Sequence, residues 1–444
     1  MIDNRKLGCL EQAMEKLNSR AKTWNIVTIS RIKGILNEKI MRQALDTIQC
    51  RHPRLNSRII RFQNSLYFQT EGTTKIPLRV VNKFDDQQWQ EVVQEEMNLV
   101  IDSSKCLMRS VLVHIQSHSQ INYLITTGHH AVGDGLSSIQ LHSEILTYCQ
   151  QIISGNLITP VASLVPLPPV EELLPAWTNK FTGKISSTLF LLQLGLQKIW
   201  YRPKTLGFEK YAPIDQRSCH LIHKQLDSEL TQKFVNCCHH ENTTINSALC
   251  AAMMFTVASK FTKKEKKSIR VNCLSYLDLR RYLEPKISDE HMAVLASSTM
   301  GFYSIQNNTT FWDLARKVQQ NIAAITKHSD IFKMILAAKH LIDFSLNYPR
   351  QVAATVSVSN AGRVNVPKIY GEFELEEISF LGSHALYAGM FITHASTFQG
   401  KMLLNFVFSE PSISQNTMEE LVNNFMLLIW HICQFKNEKS LTTV

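Results

Sequence analysis

Residues 123–145 read YLITTGHHAVGDGLSSIQLHSEI, and within them HHAVGDG sets His129 beside His130, with Asp134 and Gly135 following. Three chemistries use such a set: a metal site, a hydrolytic dyad or triad, or a general base braced by its own turn. A zinc protease places two His one turn apart on a helix, with an intervening Glu as base. Here Gly133 and Gly135 flank the Asp, so a helix running across the motif is disfavoured and the metal spacing fails. No GxSxG nucleophile elbow lies near it, which removes the central part of a serine hydrolase. What remains is a strand that ends at a sharp turn with a His at its mouth. A neutral imidazole there can take a proton from a hydroxyl or amine near pH 7. A carboxylate four residues on could fix the imidazole, or it could hold the turn closed by pairing with an Arg from elsewhere. The glycines permit φ > 0 and let a substrate chain approach the backbone.

The flanking segments have the patterns needed to present such a turn. INYLITTGHH (121–130) reads as a strand, and SSIQLHSEILTYCQQIIS after it as a helix with Ile139, Leu146 and Ile153 among its apolar positions. Upstream, Ile40, Leu45 and Ile48 carry helical spacing until Pro53, where a strand-like run begins. Between 159 and 177 lie five of the 13 prolines, a density that neither helix nor central strand tolerates. This segment is read as the start of a crossing between two lobes.

A second half of similar type follows. TTINSALCAAMMFTVASKF (243–261) predicts a helix, SIRVNCLSYLDLRRYL (268–283) a strand running into a polar turn, and 354–364 another strand. The segment 389–409 reads as a hairpin closed at FQGK, and TMEELVNNFMLLIWHICQF as a final helix. At 444 residues the chain is too long for one compact core. The predicted architecture is α/β, with two lobes that each combine a mixed sheet with helices. Its division is 1–160 for the lobe carrying the motif, 161–215 for the Pro-rich and apolar crossover, and 216–444 for the second lobe.

Composition narrows the class. With 44% hydrophobic and 19% charged residues, the chain is an ordinary globular protein. Its N-terminus carries charges where a secretory apolar core would sit, and no window approaches the ~18 apolar residues of a spanning helix. A cytoplasmic location is expected. Ten cysteines without a framework spacing fit reduced thiols. CCHH at 237–240 does not make a zinc site, because consecutive helical residues point in different directions. The net charge is +10, with its clearest cluster in KFTKKEKKSIR (260–270), read as a solvated connecting loop. No zinc-finger, helix-turn-helix or aromatic RNA-platform signature accompanies it, so no nucleic-acid partner is expected. A positive surface also attracts a phosphorylated carrier such as coenzyme A, or an acidic carrier protein. ISSTLFLLQLGLQKIWYRPK (185–204) is too short to cross a bilayer, but its basic flanks suit weak contact with a membrane surface.

HHAVGDG resembles the HHxxxDG signature of the condensation-domain and acyltransferase superfamily, which includes chloramphenicol acetyltransferase, plant BAHD acyltransferases, wax-ester synthases and polyketide-associated acyltransferases of mycobacteria. RHPRL (51–55), YLDLRRYL (276–283), MGFYS (300–304) and SNAGRV (359–364) are similar to its other landmarks and occur in its order. The likeness is nearest to stand-alone polyketide-associated or alcohol acyltransferases; the BAHD DFGWG motif is missing.

The resemblance implies two chloramphenicol-acetyltransferase-like lobes with an active-site tunnel between them. It implies His130 as general base, Asp134 as a structural carboxylate paired with Arg280 or, failing that, Arg281, and His129 as support for the turn. Gly135 would keep the tunnel open, and its N–H could help an oxyanion. Ser357, Ser359 and Asn360 are candidate polar groups facing the tunnel. The reaction implied is direct acyl transfer to a hydroxyl from acyl-coenzyme A or a phosphopantetheine thioester, used as co-substrate with no bound cofactor and no metal. Amide formation on an amine and a catalytically silent scaffold are the alternatives. A small-molecule or lipid acceptor, an acyl carrier protein and a monomeric state complete the expectations.

Overall fold

The computed structural model describes residues 4–118, 120–156, 160–179, 181–261, 268–327 and 330–434. The chain folds into two compact units. The first comprises Met1–Pro175, Leu279–Leu295 and Arg363–Ser383, and the second Ala176–Asp278, Ala296–Gly362 and His384–Val444. A linear division at 160 and 216 does not follow these units. Residues 161–175 stay in the first because their apolar side chains find burial there. Val170, Leu173 and Leu174 are buried, and the Leu173 carbonyl accepts a hydrogen bond from the Glu284 N–H at 3.0 Å.

The first unit is built on a six-stranded sheet. Its order is Ile369–Tyr370, Phe373–His384, Thr23–Lys33, Ile121–Gly128, Met108–Ile115 and Leu78–Lys83. Strand Ile121–Gly128 pairs antiparallel with both neighbours, so that Gly128 stands opposite Ile26 on one side and Met108 on the other. Seven of its eight residues are buried, as expected of a central strand covered on both faces. Helix Gly135–Ile153 then packs back on Thr23–Lys33. Its His142 locks it there, lying 2.8 Å from the Ser30 hydroxyl through Nδ1 and 2.7 Å from the Thr126 hydroxyl through Nε2. Burial pushes the His142 pKa down to about 3, so this ring is a neutral bridge between helix and sheet.

The second unit has its own six-stranded sheet, ordered Ala296–Ile305, Ile269–Asp278, Val356–Arg363, Phe391–Phe398, Lys401–Glu410 and Ser218–Leu226. The expected hairpin is present, with Phe398 opposite Lys401 and a two-residue turn in which Gln399 and Gly400 both have positive φ. That turn matches the twist of the paired strands. Helix Ile245–Ser259 is apolar nearly all round and lies in the core, where Phe391 stacks on Phe406 and Phe406 meets Phe425 edge-on. The CCHH residues close helix Ser228–His240; Cys238 is buried, whereas His239 and His240 are exposed. Among the described residues no group of three His, Cys, Asp or Glu side chains is placed to hold a metal ion. Most of the basic run at 260–270 lies outside the described residues.

Candidate active site

The chain leaves strand Ile121–Gly128 and enters helix Gly135–Ile153 through six residues, and every polar group of that turn has a distinct task. Asp134 is the helix N-cap. Its Oδ1 accepts the Ser137 N–H at 2.9 Å, and its own N–H donates to the Ser137 hydroxyl at 2.8 Å, which satisfies donors that a helix start leaves open. The same carboxylate accepts from both terminal nitrogens of Arg280, at 3.1 Å each, and from the Leu295 N–H at 3.0 Å. Burial alone would raise the Asp134 pKa. The Arg280 charge and the hydrogen bonds outweigh it and hold the carboxyl below the usual carboxylate range. Asp134 therefore ties its own helix start to both ends of the segment Leu279–Leu295 and makes no hydrogen bond to the imidazole among the described residues. Arg280 begins a short 3-10 turn, Arg280–Tyr282, and is buried, whereas Arg281 is exposed.

His130 is oriented by backbone. Its Nδ1 lies 2.7 Å from the Gly133 carbonyl oxygen. A carbonyl only accepts, so Nδ1 carries the hydrogen and Nε2 presents a lone pair. No described residue hydrogen-bonds to that Nε2. Desolvation lowers the His130 pKa, opposed in part by the Gly133 carbonyl and the Asp134 charge. The ring is thus neutral and basic at physiological pH. Trp24 stands beside it edge-on, ring centroids 6.1 Å apart. Trp24 holds φ at +63°, an uncommon backbone state for a bulky residue and one that costs strain.

His129 turns the other way. Its Nδ1 accepts the Ala131 N–H at 3.0 Å, so Nε2 carries the hydrogen and donates to Glu15 at 2.9 Å. Glu15, on helix Cys9–Ala21, also accepts from the Ser103 hydroxyl at 3.1 Å. The two adjacent histidines are therefore opposite tautomers with separate roles: one ring pins the turn, and the other offers a base.

The glycines are required for space and not for backbone conformation. Neither Gly133 nor Gly135 has positive φ, which corrects the expectation from sequence. A Cβ on Gly133 would lie 2.9 Å from the Met292 methyl, and one on Gly135 only 2.5 Å from the Phe380 ring. Gly135→Ala should therefore cost about 1–3 kcal/mol by overpacking, read as a lower melting temperature. Phe380→Leu in the same chain should restore part of it, and a Gly135→Ala protein as stable as wild type would show that the ring moves aside freely.

The structure thus brings His129, His130, Asp134, Gly135 and Arg280 together in the first unit. Ser357, Ser359 and Asn360 stand on strand Val356–Arg363. Ser357 is buried and hydrogen-bonded with Tyr276, and the Asn360 side chain accepts the Gly362 N–H at 2.9 Å. Trp24, Glu15 and Phe380 escaped the reading of the sequence. Each lies far from the motif along the chain and belongs to no chemical pattern of its own.

Comparison with known proteins bears on the family and the fold. Residues 12–162 match the family model described as Condensation domain, and residues 215–406 that described as Phthiocerol/phthiodiolone dimycocerosyl transferase C-terminus. No curated protein matches the sequence. Among solved structures, polyketide synthase associated protein 5 from Mycobacterium tuberculosis superposes with a TM-score of 0.69 at 15% identity, covering 97% of this chain and 98% of that one. The trichothecene 15-O-acetyltransferase of Fusarium sporotrichioides gives 0.72 at 10% identity, covering 97% and 95%. The first condensation domain of the CDA synthetase gives 0.69 at 12% identity, covering 98% and 96%. At such identities the structures speak for the fold alone, and the two family models carry the relationship. The chain belongs to the condensation-domain and acyltransferase superfamily, with its chloramphenicol-acetyltransferase-like fold.

Proposed function

We propose that the protein transfers an acyl group from a thioester, on coenzyme A or on a phosphopantetheinyl carrier protein, to a hydroxyl acceptor, with His130 as general base. The observation that carries this reading is the hydrogen bond from His130 Nδ1 to the Gly133 carbonyl, which leaves Nε2 as a bare, neutral base. Nε2 takes the proton of the acceptor hydroxyl as its oxygen attacks the thioester carbonyl carbon. The tetrahedral intermediate collapses with cleavage of the C–S bond, and the departing thiolate receives the proton from the imidazolium. One proton enters and leaves the same nitrogen, so no acyl-enzyme is needed. The family match to a transferase C-terminus and the likeness to an O-acetyltransferase support a hydroxyl acceptor.

The test is release of free thiol from acyl-coenzyme A donors of graded chain length, with alcohol and amine acceptors supplied in parallel. Release that depends on an alcohol and on His130 is the expected result. Turnover with amines alone would replace ester by amide formation. No release from any donor, and none from an acylated carrier protein, would overturn the proposal.

The pH dependence follows from the same ring. A base must be neutral to act, so kcat/KM rises with pH through the pKa of His130 in the free enzyme. Since burial depresses that pKa, the acid limb should be centred below the ordinary ~6.5 of a histidine. A limb centred at or above neutrality would assign the titration to another group.

A further inference from the structure

Helix Phe181–Tyr201 of the second unit carries apolar side chains on its exposed side as well as on its packed one. Leu189, Leu192, Leu196, Ile199 and Trp200 recur at helical spacing and are 59% to 73% exposed. The helix is held to its own unit from another side. It packs on helix Asp330–Asn347, the Lys198 ammonium donates to the Val352 carbonyl at 2.9 Å, and the Tyr201 ring lies 5.4 Å from that of Phe302. A core-facing apolar stripe is the ordinary arrangement. Here Phe190, Leu191 and Leu194 are partly covered, and a second apolar row is left to solvent.

Charge along this segment of the chain has one sign. From Ala176 to Phe208 the chain contains no Asp or Glu, but it has Lys180, Lys184, Lys198, Arg202 and Lys204. At the end of the stripe Arg202 and Lys204 are exposed, the Lys204 N–H donates to the Arg270 carbonyl at 2.8 Å, and the Arg270 guanidinium sits 6.0 Å from the centroids of both Trp200 and Tyr201. An exposed Trp beside a knot of arginine and lysine, at the end of an aliphatic row about 16 Å long, has the anatomy of a helix lying at a lipid interface.

We propose that this face seats the protein on an anionic lipid surface, with the row from Leu189 to Trp200 sunk among the headgroups and Arg202, Lys204 and Arg270 against their phosphates. Self-association through the same face would bring like charges together, whereas an anionic membrane answers both the apolar row and the basic end. The proposal stands independently of the acyl-transfer reading.

The test is co-sedimentation of the full chain with vesicles of phosphatidylcholine, with and without phosphatidylglycerol. Binding should require phosphatidylglycerol and fall in about 0.5 M salt. The triple variant L192Q/L196Q/I199Q should bind about tenfold less, and R202E/K204E should erase the preference for the anionic vesicles. All five positions are exposed, so both variants should keep the wild-type melting temperature. Failure to bind phosphatidylglycerol vesicles, or binding unchanged in the triple variant, would overturn the proposal. So would a wild-type dimer that the triple variant dissolves, which would give the face to a second copy.

Discussion

His130→Ala should lower turnover by ~10² to 10⁴, the contribution of a positioned general base, while melting within about 2 °C of wild type. The two halves of this expectation have separate physical grounds. The rate loss follows from Nε2, which no described residue engages, whose lone pair is aimed by the bond from Nδ1 to the Gly133 carbonyl and which desolvation keeps unprotonated. The preserved stability follows from what the side chain does not do. Among the described residues it closes no ion pair, and it hydrogen-bonds to a carbonyl on a part-buried turn that other bonds already fix. His129→Ala should invert the pattern. That ring is buried and joins the Ala131 N–H to the half-buried Glu15, so its loss leaves the Ala131 N–H without its acceptor, removes one of the Glu15 donors and frees the turn. The pair of variants, compared by kcat and by melting temperature, separates base from brace. A His130→Ala enzyme with near-normal turnover would remove the base assignment, whatever its stability.

The motif itself was legible because its signals are local. A strand with an apolar run, a turn rich in glycine and a following helix with Ile139 and Leu146 on one face need no knowledge of the rest of the chain. What the glycines do was not legible. Glycine in a turn suggests positive φ, but at 133 and 135 the constraint is the Met292 methyl and the Phe380 ring, which arrive from residues more than 150 positions away. The choice between Arg280 and Arg281 is of the same kind. Adjacent residues on a 3-10 turn point apart, and only the packing of Leu279–Leu295 onto the first unit decides which faces Asp134.

That packing also explains the unit boundaries. A proline-dense stretch reads as a linker when judged by its secondary structure, because proline excludes helix and central strand. Burial is a separate question. Val170, Leu173 and Leu174 find apolar cover, and irregular backbone stays with the core when its carbonyls and amides have partners, as Leu164 has in Arg51 and Leu173 in Glu284. Two late segments, Leu279–Leu295 and Arg363–Ser383, return to the first unit for related reasons: one supplies Arg280, and the other contributes Phe373–His384 to the sheet beside Thr23–Lys33. Periodicity reports the elements of a chain but is blind to which core each element serves.

Asp134→Asn should unfold more readily, by about 3–5 kcal/mol, a fall in melting temperature of roughly 6–20 °C for a unit of this size. Asparagine keeps the shape of the cap and can still accept from the Ser137 N–H, so helix initiation is largely spared. What it cannot do is carry the negative charge that lies 3.1 Å from the buried Arg280 guanidinium, and the further carboxylate of Asp289 is exposed and stands off at 3.9 Å. Removing both charges should therefore hurt less than removing one, and Asp134→Leu with Arg280→Met should recover part of the loss. The effect has a pH signature. Because the folded pKa of Asp134 is depressed, its stabilisation is present above the unfolded value of ~3.9 and is lost as pH falls through the folded pKa. The gap between wild type and Asp134→Asn should hold constant from pH 7 to about 5 and then narrow by up to about 1.4 kcal/mol per pH unit below ~3.9. Activity would follow stability only in part, since the Gly133 carbonyl that orients His130 is bonded directly to the Asp134 nitrogen. An Asp134→Asn protein that melts as wild type at pH 7 would show that the Arg280 pair does not hold the turn, and that the caps and the Leu295 contact suffice without its charge.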